Sequence, residues 1–252
     1  MPTALVTGAS GGIGADLARV FAKNGPDLVL VARSRDKLEE LAASLTGVRS
    51  RVIVADLGDP ASPSRVAEEA GSIDVLVNNA GFGLRGAFAT ETSGARELEM
   101  IQLNIGALTH LTKLFVPGMV ERKSGRVLNV ASTAAFLPGP FMAVYYATKA
   151  YVVSFSQALS EELDGTGVTV TALCPGPTRT GFVEAAAMGS TPLFSSPAVM
   201  DSPEVAEAAF AACVAGQRMV IPGVLNWIGA ASSGWAPMSV TAKLARRLNG
   251  GG

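Results

Sequence analysis

Histidine and cysteine are scarce in this sequence, and its charge is low. The single histidine, His110, argues against a histidine-based metal cluster and against a histidine-containing catalytic triad. Cys174 and Cys213 are far apart and have no Cys-x-x-Cys spacing, which favours buried free thiols in a reducing compartment over a disulfide. The formal net charge is −1, 16% of the residues are charged and no long basic run occurs. We therefore expect no metal site and no nucleic-acid partner.

A long hydrophobic run is also missing. Hydrophobic residues make up 48% of the chain and the mean hydropathy is +0.35, but they are spread along the sequence and never form a run of about 18 residues, so no transmembrane segment is expected. The N-terminus enters a strand pattern without the basic region of a signal peptide, which predicts a cytoplasmic protein. The length of 252 residues suits one large domain, and we predict a single domain over 1–252.

Apolar segments with strand and helix periodicity alternate along the chain, which predicts the α/β fold class. Strands are predicted at 3–7, 27–32, 51–55, 73–78, 126–131 and 168–173, with a further one at 217–221. Helices are predicted at 15–23, through Leu38, Leu41 and Leu45, and at 97–116, 144–163 and 240–248. No repeat or linker divides the sequence.

A glycine-rich turn lies between the first strand and the first helix. It reads Thr7-Gly-Ala-Ser-Gly-Gly-Ile-Gly14. Glycines at Gly8, Gly12 and Gly14 permit a tight turn and a close approach of a pyrophosphate, whose charge is favoured by the free N–H groups at a helix start. Because this turn follows a strand and opens a helix, it predicts dinucleotide binding rather than a plain turn.

The ends of the second and third strands bear on the choice of dinucleotide. An NAD site places an acid about 20 residues beyond the glycines, but this chain has Arg33 there. Arg33, helped by Ser10, can pair with a 2′-phosphate, which favours NADP over NAD; the alternative is a solvated loop cation. Asp56, followed by Leu57, could accept a hydrogen bond from the adenine amino group or could equally cap a turn.

Tyr145 and Lys149 stand four residues apart in the predicted helix 144–163, so they are neighbours on one face. The other two tyrosines have an alanine and a phenylalanine at the corresponding position. An ammonium near a phenol stabilises the phenolate, so we expect Lys149 to lower the pKa of Tyr145 and to make it useful in acid-base catalysis. The alternative is a pair on a helix surface.

Two further polar residues are catalytic candidates. Ser132 follows the strand 126–131, where parallel sheets place ligand-facing groups, and its hydroxyl can donate to a substrate oxygen; it could instead be an ordinary loop serine. Asn104 lies between Leu103 and Ile105 in the predicted helix 97–116. Taken alone, it is better explained as a core amide that is satisfied locally.

Together these motifs closely resemble the short-chain dehydrogenase/reductase family over residues 3 to about 222. The motifs, in order, are Thr7-Gly-x-x-x-Gly-x-Gly14, Asn78-Asn-Ala-Gly81, Asn104, Ser132, Tyr145-x-x-x-Lys149 and Pro175-Gly-x-x-x-Thr180. The resemblance implies a doubly wound (Rossmann) parallel sheet of seven strands with helices on both faces. It also implies a homodimer or homotetramer assembled through the helices near 97–116 and 145–163.

The resemblance implies a role for each candidate. Tyr145 would give a proton to a carbonyl or take one from an alcohol, and Ser132 would polarise the carbonyl. Lys149 would perturb Tyr145 and hold the nicotinamide ribose, and Asn104 would support a proton relay through water. The cofactor-binding set is Gly8, Ser10, Gly12, Ile13, Gly14, Arg33, Asp56, Leu57, Asn79, Ala80, Gly81, Tyr145, Lys149, Pro175, Gly176, Thr178 and Thr180.

The implied function is an NADP(H)-dependent oxidoreductase that interconverts a ketone or aldehyde and an alcohol. The tyrosine-to-lysine spacing is shorter than in related enoyl reductases, and no additional substrate domain is present, which favours carbonyl chemistry. A hydrophobic or aromatic substrate is expected from the residues around the presumed site, although these could instead be core: Phe136, Phe141, Met142, Phe182 and Met188. The alternative function is a non-catalytic NADP(H)-binding sensor or scaffold.

Two segments near the C-terminus complete the expectations. Residues 181–203, with several apolar side chains and three prolines, resemble a substrate lid. Residues 222–252 contain Trp227 and Trp235 in an apolar stretch before a basic helix. For this segment a pocket wall or a subunit contact is favoured over membrane binding.

Overall fold

The computed structural model describes residues 2–181, 191, 196–233 and 237–250. Most of the predicted lid lies outside these residues, as do Phe182, Met188 and Trp235. The remaining predicted elements fall within them.

Seven strands form one parallel sheet, which confirms the predicted doubly wound α/β fold. In chain order the described strands are β1 (Thr3–Thr7), β2 (Asp27–Ala32), β3 (Ser50–Val54), β4 (Val75–Asn78), β5 (Gly125–Val130), β6 (Val168–Leu173), β7 (Thr178–Arg179), β8 (Met200–Asp201) and β9 (Met219–Val220). The sheet has the order β3-β2-β1-β4-β5-β6-β9, while β7 and β8 pair separately. The order reverses beside β1, so β1 and β4 mark the point where such folds place their ligand.

Helices cover both faces of the sheet. The described helices are α1 (Gly12–Lys23), α2 (Arg35–Ser44), α3 (Ser62–Ala70), α4 (Gly94–Ile101), α5 (Leu108–Glu121), α6 (Ala143–Glu162), α7 (Ser202–Val214), α8 (Val224–Ser233) and α9 (Met238–Leu248). A π-helical segment, Gln102–Ala107, joins α4 to α5, and a 3₁₀ turn, Thr133–Phe136, precedes α6. Among the described residues, no helix combines the length and the apolar character needed to cross a bilayer.

The hydrophobic core consists of two layers because successive strand residues point to opposite faces. In β1, Ala4 and Val6 pack in the layer that contains α1 and α2. Leu5 packs in the other layer, with apolar residues of α3 and α5. The central strands are buried on both faces, as expected for a parallel sheet covered by helices.

The predicted continuous helix at 97–116 differs from the structure. The helical stretch starts at Gly94 and ends at Glu121, and its middle is the π-helical segment rather than α-helix. A π-helical segment carries an extra residue per turn and occurs frequently at functional sites. Asn104 lies within it.

Candidate active site

The candidate motifs converge at one edge of the sheet, because β1, β4, β5 and β6 are parallel and end on the same side. The glycine-rich turn follows β1, and Asn79 follows β4 directly. Ser132 lies two residues beyond β5, and Pro175 lies two residues beyond β6.

The glycine-rich turn is closed by contacts that exclude side chains. A Cβ on Gly14 would lie 2.3 Å from the carbonyl oxygen of Gly8 and 2.4 Å from Asn79 Nδ2. Gly8 and Gly12 have φ values of 66° and 54°, which favour glycine. A Cβ on Gly11, by contrast, would meet no atom within 4 Å. The turn therefore packs tightly against the protein at Gly8 and Gly14 and faces open space at Gly11.

Hydrogen bonds tie this turn to the end of β4. The hydroxyl of Thr7 accepts from the backbone N–H groups of Asn79 and Ala80, at 2.9 and 3.0 Å. The amide group of Asn79 donates to the carbonyl of Thr7 at 2.9 Å. Both segments thus line the cavity as one rigid unit.

The far end of the cavity carries positive charge. Arg33 is exposed, and its guanidinium Nη1 lies 4.0 Å from Oδ2 of Asp56. Ser10 and Lys37 line the same end. Asp56 Oδ1 accepts a 2.9 Å hydrogen bond from the N–H of Gly58, so Asp56 does cap a turn, while its side chain also lines the cavity.

Tyr145, Ser132 and Lys149 meet at the other end of the cavity. Tyr145 and Lys149 are buried, and Tyr145 forms a side-chain hydrogen bond with Ser132. The Ser132 hydroxyl also accepts from the N–H of Ala134 at 3.1 Å. Lys149 Nζ donates to the carbonyl of Val130 at 2.8 Å and lies 5.8 Å from the centroid of the Tyr145 ring.

Burial controls the protonation of this group. It raises the pKa of Tyr145 well above its ordinary value of 10.0, and the hydrogen bond with Ser132 acts in the opposite direction. It lowers the pKa of Lys149 from 10.5 to about 8. The expected lowering of the Tyr145 pKa is therefore wrong, because desolvation of the phenolate is the largest cause of the shift and the ammonium donates to the carbonyl of Val130 instead.

Asn104 is placed beside the site rather than in it. Its Oδ1 accepts from the N–H of Phe82 at 3.1 Å, and its Nδ2 donates to the carbonyl of Phe82 and to the hydroxyl of Thr148. A Cβ on Gly81 would lie 2.8 Å from Asn104 Oδ1. The side chain is thus a core amide that is satisfied locally, and it fixes the segment that follows β4.

A cavity of about 810 Å³ connects the two ends. Every predicted site residue except Asn104 lines it: Gly8, Ser10, Gly12, Ile13, Gly14, Arg33, Asp56, Leu57, Asn79, Ala80, Gly81, Ser132, Tyr145, Lys149, Pro175, Gly176, Thr178 and Thr180. Its size is that of small-molecule and cofactor sites.

The apolar wall of the cavity differs from the predicted one. Met142 lines the cavity, as expected. Phe136 packs instead in a core cluster with residues of β6 and α6. Phe141 has a φ of 65° and lies under the guanidinium of Arg246, outside the cavity lining. The apolar lining comes mainly from residues that the sequence did not indicate: Leu137, Tyr146, Leu225, Ala230, Leu244 and Leu248.

Two asparagines near the C-terminus hold this wall in place. Asn226 donates to the carbonyls of Ala198 and Pro222, at 3.1 and 3.0 Å. Asn249 is fully buried; it accepts from the Tyr146 hydroxyl at 3.1 Å and donates to the carbonyl of Pro140 at 2.9 Å. No local pattern marks either residue. Lys37, one turn into the helix after Arg33, could have been found as a second cation.

The cavity fits a dinucleotide. The N-terminus of α1 carries no side-chain cap, and the residues of its first turn line the cavity, so its N–H groups are available to a phosphate. Gly11 leaves open space over the turn. Arg33 and Lys37 provide cations for a further phosphate at one end, and the buried Tyr145 lies at the other.

The sheet order and the position of the turn define the class of Rossmann-like α/β proteins. Comparisons with known proteins identify the family. A family model described as short chain dehydrogenase matches residues 2–189. Oxidoreductase UcpA of Escherichia coli (strain K12) is 39% identical over 197 residues, which are 75% of this chain and 74% of UcpA. The chain belongs to the short-chain dehydrogenase family of oxidoreductases.

Two solved structures show the same fold over nearly the whole chain. A short-chain dehydrogenase from Sphingobium yanoikuyae in complex with NADPH superimposes with a TM-score of 0.83 and 35% identity, over 93% of this chain and 95% of that one. The bulky-bulky ketone specific alcohol dehydrogenase from Comamonas testosteroni gives a TM-score of 0.79 and 34% identity, over 95% and 94%.

Proposed function

We propose that the protein is an NADP(H)-dependent oxidoreductase that interconverts a ketone or aldehyde and an alcohol. One observation carries this proposal: a single cavity joins the buried group of Tyr145, Ser132 and Lys149 to the glycine-rich turn and Arg33. NADP(H) is preferred to NAD(H) because a cation, rather than an acid, follows β2. The NADPH complex of the Sphingobium yanoikuyae relative supports the same choice.

Tyr145 is the proposed acid and base. The phenol is protonated at neutral pH, as a proton donor to a carbonyl oxygen must be, and burial raises its pKa further. Ser132 is hydrogen-bonded to Tyr145, so both hydroxyls can face the same substrate oxygen. A bound nicotinamide supplies the hydride for the carbonyl carbon, and the proton from Tyr145 completes the alcohol.

Lys149 and Asn104 are proposed to act around this centre. The position that a Cβ on Gly81 would occupy is 3.8 Å from Lys149 Nζ and 2.8 Å from Asn104 Oδ1. Lys149 would donate a hydrogen bond to the nicotinamide ribose of a bound cofactor. Both amide hydrogens of Asn104 are donated, to Phe82 and to Thr148, so its contribution to a water relay is proposed to come from the backbone of the π-helical segment.

The remaining predicted residues are proposed to hold the cofactor. The glycine-rich turn and Ile13 would bind the pyrophosphate, and Ser10 and Arg33 the 2′-phosphate. Asp56 and Leu57 would contact the adenine. The segment after β4 and the loop after β6 would contain the nicotinamide half; these residues are Asn79, Ala80, Gly81, Pro175, Gly176, Thr178 and Thr180.

The substrate is proposed to be hydrophobic, with the protein acting as a carbonyl reductase. The wall beside Tyr145 includes Leu137, Met142, Leu225 and Leu248, which favour an apolar group next to the carbonyl. The ketone-specific relative from Comamonas testosteroni supports a ketone as the reacting group. An aromatic substrate remains part of the proposal, because Phe82 and Tyr146 also line the cavity.

The test is NADPH consumption with aromatic ketones, aliphatic ketones, a β-keto ester and a steroid. Tyr145→Phe should abolish turnover and leave NADPH affinity nearly unchanged. The matched control is Tyr151→Phe, because Tyr151 stacks on Phe155 and bonds Thr109 outside the cavity. Equal turnover by Tyr145→Phe and the wild type would refute the mechanism.

The second candidate is a non-catalytic NADP(H) sensor or scaffold of the same fold. It predicts tight NADPH binding without turnover of any ketone in the panel, or of secondary alcohols with NADP⁺. The buried hydrogen bond between Tyr145 and Ser132 disfavours it, because a scaffold has no need to bury an ionisable phenol in the cavity.

Assembly and location also remain proposals. We propose a homodimer or homotetramer formed through α4, α5 and α6, where Leu98, Ile101 and Leu114 expose apolar surface. Sedimentation velocity of the wild type and of Leu98→Asp would test this contact.

The buried free thiols of Cys174 and Cys213 are compatible with the proposed cytoplasmic location.

A further inference from the structure

We propose that α8 and α9 dock the protein on an anionic membrane surface, with the mouth of the cavity opening at the docked face. This inference concerns a surface outside the catalytic group and is independent of whether the protein turns over a carbonyl. It rests on exposed apolar side chains, on the charge of the C-terminal segment and on the position of the cavity.

Helix α8 exposes an apolar stripe. Val224, Trp227 and Ile228 are 75%, 57% and 50% exposed, and their spacing of three and four residues places them on one face. A short helix with three large exposed apolar residues in one stripe is unusual for a protein surface in water. Tryptophan suits the boundary between lipid headgroups and acyl chains, because its ring is apolar and its N–H is polar.

Helix α9 combines apolar and basic side chains on its exposed face. Two apolar and two basic side chains are exposed at helical spacing along it: Val240, Lys243, Leu244 and Arg247. Within the part of the chain that the structure describes, Lys243 and Arg247 form no ion pair. Such a face is typical of helices that lie in the plane of a membrane surface.

The charge of this segment matches an anionic surface. Residues 208–252 contain no Asp or Glu, and they carry four cations: Arg218, Lys243, Arg246 and Arg247. Arg218 pairs with Glu161, whereas the other three belong to α9. The whole chain has a net charge of −1, so the positive charge is concentrated at the C-terminal end. Anionic lipids attract basic residues near their surface.

The cavity reaches this face. Leu225 of α8 and Leu244 of α9 are both about half exposed, and both line the cavity. The apolar surface is therefore continuous with the substrate end of the cavity. A lipid-soluble molecule could pass from a bilayer into the cavity without crossing water.

A second copy of the chain fits this face less well. A two-fold contact would bring Lys243 and Arg247 of both copies together, and the segment offers no acid to offset them. Such a contact would also cover Leu225 and Leu244 at the cavity mouth. A membrane surface neutralises the cations and leaves the cavity in contact with apolar solutes.

The test is co-sedimentation of the purified full chain with vesicles of phosphatidylcholine alone and with vesicles in which about a third of the lipid is phosphatidylserine. We expect binding to the second kind that weakens as salt is added. Lys243→Gln combined with Arg247→Gln should weaken this binding on the order of 20-fold. Trp227→Ser should weaken it as well, whereas Val214→Ser, an exposed apolar residue of α7, should not.

Fluorescence gives an independent readout. The chain has two tryptophans, so a Trp235→Phe variant leaves Trp227 as the only reporter, and its emission should shift to the blue on anionic vesicles. Absence of binding by the folded protein at low salt would overturn the proposal. Concentration-dependent dimerisation that Trp227→Ser abolishes, without vesicle binding, would overturn it in favour of a subunit contact.

Discussion

Replacing Lys149 with methionine should stabilise the protein at neutral pH while it removes turnover. Burial lowers the pKa of Lys149 from 10.5 to about 8, so the folded protein binds this proton more weakly than the unfolded chain does. At pH 7 this difference destabilises the folded state by about 3 kcal/mol. Methionine has a similar length and carries no charge that must be desolvated.

The gain is reduced by one lost hydrogen bond. Lys149 Nζ donates to the carbonyl of Val130 at 2.8 Å, and methionine cannot replace that donor. Loss of a buried hydrogen bond costs about 1 kcal/mol. We therefore expect the free energy of unfolding of Lys149→Met at pH 7 to exceed that of the wild type by about 2 kcal/mol.

The sign of the pH dependence follows from the same pKa. Between about pH 8 and pH 10.5 the unfolded chain holds more protons than the folded protein, so wild-type stability rises with pH. The destabilisation is fully present below about pH 8 and is lost above pH 10.5. From pH 7 to pH 9.5 the wild type should recover about 2 kcal/mol relative to Lys149→Met.

The assay is urea unfolding at pH 7 and pH 9.5, monitored by circular dichroism. Lys113→Met is the matched control, because Lys113 is exposed on α5 and its removal should leave the pH dependence unchanged. A Lys149→Met protein that is less stable than the wild type at pH 7, by an amount that does not change with pH, would contradict a destabilising charge at Lys149. It would show that the buried ammonium is compensated by contacts other than the Val130 carbonyl.

Two further predictions concern the cofactor half of the site. Arg33→Asp should lower kcat/KM for NADPH at least about tenfold and leave that for NADH nearly unchanged, because it removes a phosphate partner and adds repulsion; an unchanged preference would mean that the 2′-phosphate is held elsewhere. Gly14→Ala would place a methyl group 2.3 Å from the Gly8 carbonyl oxygen, so its melting temperature should fall by several degrees, about the effect of 1–3 kcal/mol. Gly11→Ala, whose methyl group meets open space, is the control, and equal melting temperatures for the two variants would contradict the steric argument.

The central strands were predictable because each is buried on both faces and reads as a short, continuous apolar run. The bounds of β1 and β2 agree with the predicted ones, Thr3–Thr7 and Asp27–Ala32. The π-helical segment was not predictable, because its register depends on Asn104 reaching back to Phe82, a contact across 22 residues. No periodicity in the local sequence records such a contact.

The candidate site was likewise predictable only in part. The position of Ser132, Asn79 and the glycine-rich turn at one edge follows from the parallel strands alone. The substrate wall does not follow, because Leu225, Leu244 and Leu248 come from helices about a hundred residues beyond the catalytic segment. The local sequence does not show that these helices return to the 3₁₀ turn Thr133–Phe136 and to α6.

Helical spacing placed Tyr145 beside Lys149 but could not predict the electrostatics between them. A separation of four residues places both side chains on one face of α6. It does not determine which acceptor the long lysine side chain binds. In the folded protein it takes the carbonyl of Val130, and both side chains are buried. Desolvation favours the uncharged form of each group, so the pKa of Tyr145 rises, that of Lys149 falls, and the two values move apart. In the proposed carbonyl reduction the Tyr145 phenol would be the proton donor, and it stays protonated at neutral pH because burial disfavours the phenolate.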